Sequence, residues 1–216
     1  MMGISLINLS EISVLMPVIA GFIYYKNLPR SFFILLCFFC CSIFVELGSE
    51  LMAHIYHNTM PLLHAFTVIE FIIFTSVFYS YFERNLRVRV FLIISILLLV
   101  FFELSEIFLF KGLWSFNAAT RYYESAVLVL LALMFYYKFF KESVEPITLQ
   151  QPMFWFSTAI FVYFSLNQFF FMLINYFKTH DVYIVATGIK IHAVINIFAN
   201  LLFAISFRCY RTMKTY

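Results

Sequence analysis

Glu46, Glu50, His54 and His57 follow one another at intervals of four, four and three residues in the stretch VELGSELMAHIYH. On a helix that spacing lines them along one face. Carboxylates and imidazoles are the side chains that most often serve as general acids and bases, and both are ligands that zinc accepts. The same residue types recur downstream. His64, Thr67 and Glu70 share a helical face, and Arg121 and Glu124, three residues apart, can pair on their own helix. His192, Asn196 and Asn200 form another stripe at four-residue spacing, and Asn117 and Gln168 complete the set.

The elements that carry these residues are strongly apolar. The chain has 216 residues, of which 64% are hydrophobic and 12% charged. A soluble domain carries about twice that charged fraction. Mean hydropathy is +0.94. Gly and Pro occur five times each, so no linker or low-complexity tract divides the chain. This composition predicts an all-α, polytopic membrane protein with its mass in the lipid bilayer, read as a single domain over 1–216. The segment MMGISLINLSEISVLMPVIAGFIYY has no basic residue before Lys26, so it reads as a retained helix and not a cleaved signal. Cys37, Cys40 and Cys41 lack a second ligand pair and, with Cys209, read as packing residues.

A helix needs about 20 apolar residues to cross the hydrocarbon core. Seven segments qualify, at roughly 5–25, 31–56, 61–82, 88–110, 117–140, 152–177 and 183–207. The breakers between them are short, so successive helices are expected to be antiparallel neighbours, and no internal repeat of the transporter kind is visible. Lys26, Arg30, Arg84, Arg87, Arg89, Lys138, Lys141, Arg208, Arg211 and Lys214 fall on one side, against Lys111 and Lys178 in the loops of the other. The bias predicts an outside N-terminus and a cytoplasmic C-terminus, in a bacterial inner membrane. Those basic residues are topology signals, and no nucleic-acid partner is expected.

With that orientation the ionisable residues share a depth. At 1.5 Å per residue Glu46 lies roughly 20 to 25 Å from the inner end of its span. Glu50, His54, His64, Glu70, Asn117, Arg121, Glu124, Gln168, His192 and Asn196 are also placed in outer halves, while the inner halves (FFILLCFFCC, VLVLLALMFYY, LLFAISF) are almost uncharged. An ionisable group in lipid is costly, so these side chains are expected to turn inward around a polar cavity above an aromatic plug. Glu103 and Glu106 read as headgroup-level residues, His57 and His180 as loop or interface residues, and Lys190 as a snorkelling lysine.

The blocks HAFTVIEF, SFNAATRYYES, QPMFWFSTAIFVYFSLNQFFF and KIHAVINIFANLLFAISF resemble a family of small seven-span, sensor-like membrane proteins of Bacteroidota. The resemblance runs from the second span to the end. It implies that Glu46, His64, Glu70, Asn117, Glu124, His192 and Asn196 are its recurring polar positions, and it carries no assigned reaction.

The residues support two main functional readings. One is a sensor or receptor whose outward pocket binds a small molecule or ion. With no output domain in sight, it would signal to a separate cytoplasmic protein. The other is an intramembrane hydrolase of lipid-like substrates. There zinc would be held by ligands such as His64, Glu70, His192 and Glu46, and Glu50 or Glu124 would be the general base. Seven-span zinc hydrolases of the ceramidase group carry His-x-x-x-His in the last span, where this chain has His192-x-x-x-Asn196. Proton or solute transport is disfavoured by the uncharged inner halves. A retinal protein is disfavoured by the shallow position of Lys190 and by having only Trp114 and Trp155.

Overall fold

The structure is a computed structural model that describes residues 2–82, 85–110, 112–142, 150–177 and 182–210, without the side chains of 2–5, 142, 170–177 and 182–186. His180 and the basic residues Arg84, Lys111, Lys178, Arg211 and Lys214 lie outside the described residues. Among the described residues there is no strand.

The helices are α1 (Met2–Ser13), α2 (Leu15–Tyr24), α3 (Arg30–Tyr56), α4 (Met60–Tyr81), α5 (Leu86–Ser105), α6 (Ala118–Glu142), α7 (Pro152–Phe177) and α8 (Val182–Cys209). Each segment expected to be apolar and helical falls on one of them, within a few residues. The first segment is divided between α1 and α2. Pro17 explains the division: it has no N–H for the carbonyl of Ser13, and its ring crowds that carbonyl. The bonds spanning the break, Val14 N to Glu11 O and Val18 N to Val14 O, are both stretched to 3.4 Å.

Helix ends follow local chemistry. Pro29 sits extended before α3, and His57 ends α3 in the left-handed region at φ 53°. A proline occupies the first turn of α4 and another begins α7. The Asn85 side chain accepts from Val88 N at 3.3 Å and starts α5. At its far end α5 continues as a π-helical turn over Glu106–Phe110.

Among the described residues six helical segments are long and apolar enough to cross a membrane: Leu6–Asn27, Arg30–Tyr56, Met60–Tyr81, Leu86–Phe110, Ala118–Lys141 and Thr187–Cys209. Large apolar side chains cover much of their outer surface, among them Phe44, Phe101, Phe108 and Phe110. In water such a surface would be strongly unfavourable, whereas hydrocarbon solvates it. The chain is a polytopic helical membrane protein in contact with the lipid bilayer.

The helices form two compact units, Met1–Leu28 with Val129–Tyr216, and Pro29–Leu128. In the second unit α4 packs against α3 and α5. Its core is aromatic: Phe38 stacks on Phe66 and meets Phe74 edge-on, each at 5.4 Å between ring centroids. Leu35, Phe71, Phe78, Leu92, Leu99 and Leu128 are fully buried there. In the first unit α8 packs against α1, α2 and α7. Phe156 meets Phe203 at 5.9 Å, and Ser206 Oγ donates to the Pro152 carbonyl at 2.7 Å.

Candidate functional site

The Pro29–Leu128 unit gathers polar side chains at one end of α4, α5 and α6. On α4, His64, Thr67 and Glu70 recur at intervals of three and lie on the buried face. On α5, Glu103 is buried, and Glu106 is buried at the start of the π turn. On α6 and the residue before it, Asn117, Thr120 and Glu124 are buried and Arg121 is largely buried. Toward the other end of the same helices the buried positions turn apolar, with Phe74 and Phe78 on α4, Leu99 and Leu92 on α5, and Leu128 on α6.

His64 is held on both ring nitrogens. Its Nε2 lies 2.9 Å from the carbonyl oxygen of Ser115, and its Nδ1 meets Glu103 Oε1. A carbonyl can only accept, so Nε2 carries a proton. One further proton lies between Nδ1 and the carboxyl. The pair is therefore either imidazolium with carboxylate or imidazole with carboxylic acid, and it is neutral both ways. Asn117 Nδ2 donates to both oxygens of Glu103 at 3.2 Å and to Thr67 Oγ1 at 3.3 Å.

Glu106 does different work. Its Oε1 accepts from Ala119 N at 3.2 Å, and its Oε2 accepts from Thr120 N at 3.1 Å and Thr120 Oγ1 at 3.0 Å. The first turn of a helix presents unpaired N–H groups and the positive end of its dipole, and this carboxylate meets both. The Asn117 side chain, which would ordinarily cap α6, is thereby released to hold Glu103 and Thr67.

Arg121 Nη1 donates to Glu70 Oε2 at 3.0 Å and to Glu124 Oε2 at 3.1 Å. One guanidinium thus faces two carboxylates. If both are ionised, the triad carries one negative charge that Arg121 does not neutralise. Glu124 is fully buried, and its Oε1 has no hydrogen-bond partner; the buried Oδ1 of Asn117 also has none. Burial of an uncompensated charge in a low dielectric is strongly unfavourable, so the triad is the part of the network whose charges are least well matched.

The remaining sequence-selected residues lie elsewhere. Glu46, Glu50 and His54 are exposed, not turned inward as their depth suggested, and His57, read as a loop or interface residue, is exposed at the end of α3. The face of α3 that meets α4 carries Gly48, where an added Cβ would lie 3.4 Å from Leu62 Cδ2. At Gly48 the close approach is made by α4. His192 and Asn196 belong to the first unit. His192 Nδ1 pairs with Asn167 Oδ1 at 2.7 Å, and Asn196 donates to Ser10 at 2.9 Å. Asn200 extends that ladder by donating to Ser13 at 2.7 Å. Gln168 is half-buried and Lys190 is exposed.

Glu103 and Glu106 correct a sequence expectation: they are buried network members and not headgroup residues. The available signal was their spacing of three, which puts both on one face, with NAAT opening the next helix. Of the suggested metal ligands, His64 engages Glu103, Glu70 engages Arg121, His192 engages Asn167, and Glu46 is exposed on α3. Among the described residues no group of three or more His, Cys, Asp or Glu side chains is arranged to hold a metal ion.

Fold and site together define a polytopic helical membrane protein with an acid-rich buried network. No protein-family model, curated protein or solved structure matches the chain.

Proposed function

We propose that this chain is an integral membrane sensor in which a proton, or a small cation competing with it, binds at Glu124 and sets how Arg121 divides itself between Glu70 and Glu124. The observation that carries this reading is the sharing of Arg121 between two buried carboxylates, one of which has an oxygen without a partner. Neutralising Glu124 leaves Arg121 matched to Glu70 alone. Ionising it makes the two acids compete for one guanidinium. Two such states are what a switch requires. The neighbouring acids are already accommodated, Glu103 by His64 and Asn117 and Glu106 by the start of α6, so the change is confined to the triad.

In this proposal the protein spans a bacterial inner membrane seven times, with α7 as a further span. Its 26 residues extend about 39 Å, enough to cross. The excess of Lys and Arg on one side supports an outside N-terminus and a cytoplasmic C-terminus, where a separate signalling protein would read the change.

Infrared difference spectroscopy on the purified full chain tests the reading. Acidification is expected to raise a protonated-carboxyl band that disappears in Glu124→Gln. At constant pH, titration with sodium, potassium or magnesium chloride reveals whether a cation displaces that proton. An identical acid-induced band in wild type and Glu124→Gln would sink the proposal.

A further inference from the structure

The outer half of α3 presents an unusual face for a membrane-crossing helix. Phe44, Leu47, Leu51 and His54 are exposed and are spaced three, four and three residues apart. That is the heptad spacing of a helix that packs along a second helix. Glu50 lies on the flank of this seam, one turn before His54, and is also exposed. The opposite face of α3 is buried through Leu35, Phe38 and Phe39, and one flank of the seam is closed by the contact of Gly48 with Leu62.

Depth makes the exposed face significant. The midpoint of α3 is Ile43, so Glu50 lies about 10 Å along the axis from the centre of the span. The hydrocarbon extends about 15 Å from its centre. A glutamate at that level, facing out, has neither water nor a hydrocarbon-compatible partner. Whatever covers it must offer a proton donor within about one helical turn of that depth, beside an apolar seam of matching spacing.

From this we infer that the face covers itself: two copies of this chain pair in parallel through the Phe44–Leu47–Leu51–His54 seam of α3. Both copies enter the membrane with the same topology, so equivalent residues meet at equal depth about a two-fold axis. Glu50 of each copy then lies beside the seam, next to His54 of the second copy, which supplies the acid with a donor. The symmetry forms this contact twice. The stripe is self-complementary because it carries an acid and a base one helical turn apart, and Leu51 of each copy packs between the seam residues of the other. A membrane lipid offers neither the spacing nor the fixed depth. The inference uses only the crossing of the bilayer by α3 and stands apart from proton binding at Glu124.

Disulfide trapping in native membranes tests it. Single cysteines are placed in a full-length chain whose four native cysteines are changed to alanine. Leu47→Cys and Leu51→Cys are expected to give a product of twice the monomer mass on oxidation, while Met52→Cys, turned toward the chain's own unit, gives none. Glu50→Lys should reduce the Leu51→Cys product several-fold, and the exchange Glu50→His with His54→Glu should restore it. Resistance of every variant to alkaline carbonate extraction confirms insertion, so a failure to insert is separated from a failure to pair. Inserted protein with no dimer at either seam position overturns the inference. So does a trapped product whose mass reports a different protein, or equal trapping at Met52.

Discussion

The carboxylate of Glu106 accepts from the backbone N–H of Thr120 at 3.1 Å, so the acid that ends α5 closes the beginning of α6. Ala119 N and Thr120 Oγ1 donate to the same side chain. Glu106→Ala leaves these three donors without that acceptor. A buried donor left unsatisfied costs about 1–3 kcal/mol, so this variant is expected to lose at least that in reversible unfolding in detergent micelles. Glu106→Gln keeps an acceptor oxygen and should lose less. Equal stability of all three proteins would remove the capping role.

His64 and Glu103 should behave as one unit. Either change to Ala removes the shared proton and strands the other group, so the second change adds little to the first. A double-mutant cycle on His64→Ala and Glu103→Ala is expected to give a coupling of about 0.5–3 kcal/mol. Energies that simply add would mean that the two side chains do not act on each other.

Arg121 is the most sensitive position of the network. Removing one partner of a buried ion pair typically costs about 3–5 kcal/mol, because a charge is left uncompensated. Arg121→Met is expected to fall in that range, with correspondingly low yield of folded protein. Adding Glu70→Gln and Glu124→Gln removes the stranded charges and should recover a large part of the loss. A triple variant no more stable than Arg121→Met would contradict the electrostatic account.

The polar ladder of the first unit is expected to be much weaker. Asn200 to Ser13 is a neutral hydrogen bond between helices, and such bonds in membranes average about 0.6 kcal/mol. Asn200→Leu should cost about that much and accelerate amide exchange around Ser13. A loss above about 2 kcal/mol would show that the ladder anchors α1 more firmly than one bond allows.

The helices were legible because hydrophobicity over about 20 residues is a local property, and prolines at 61 and 152 mark where two of them start. The pairing of Arg121 with Glu124 was legible for a similar reason, since three residues on one helix fix the distance. Tertiary contacts were less accessible. Depth alone put Glu46, Glu50 and His54 level with His64 and Glu70, but depth does not specify which way a helix turns. On α3, Gly48 and the phenylalanines decide that rotation by packing against α4, and the acid–histidine stripe is left on the other side. Glu103 and Glu106 were misjudged for the converse reason. A position near the end of a span suggests headgroups, whereas their partners, Asn117 and Thr120, begin the following helix and draw both acids inward.

Those partners also impose an order on biosynthesis. When α5 emerges from the ribosome, Asn117, Ala119 and Thr120 have yet to be made, and Glu106 has none of the three donors that later hold it. Glu106 is matched only after the first turn of α6 has arrived, about a dozen residues later. The two helices therefore enter the membrane most favourably together, as a hairpin whose connecting bend is closed by Gly112 N donating to Glu106 O at 3.2 Å. Translation stalled within α6 would leave α5 poorly retained in lipid, and release of the stall would allow both helices to insert.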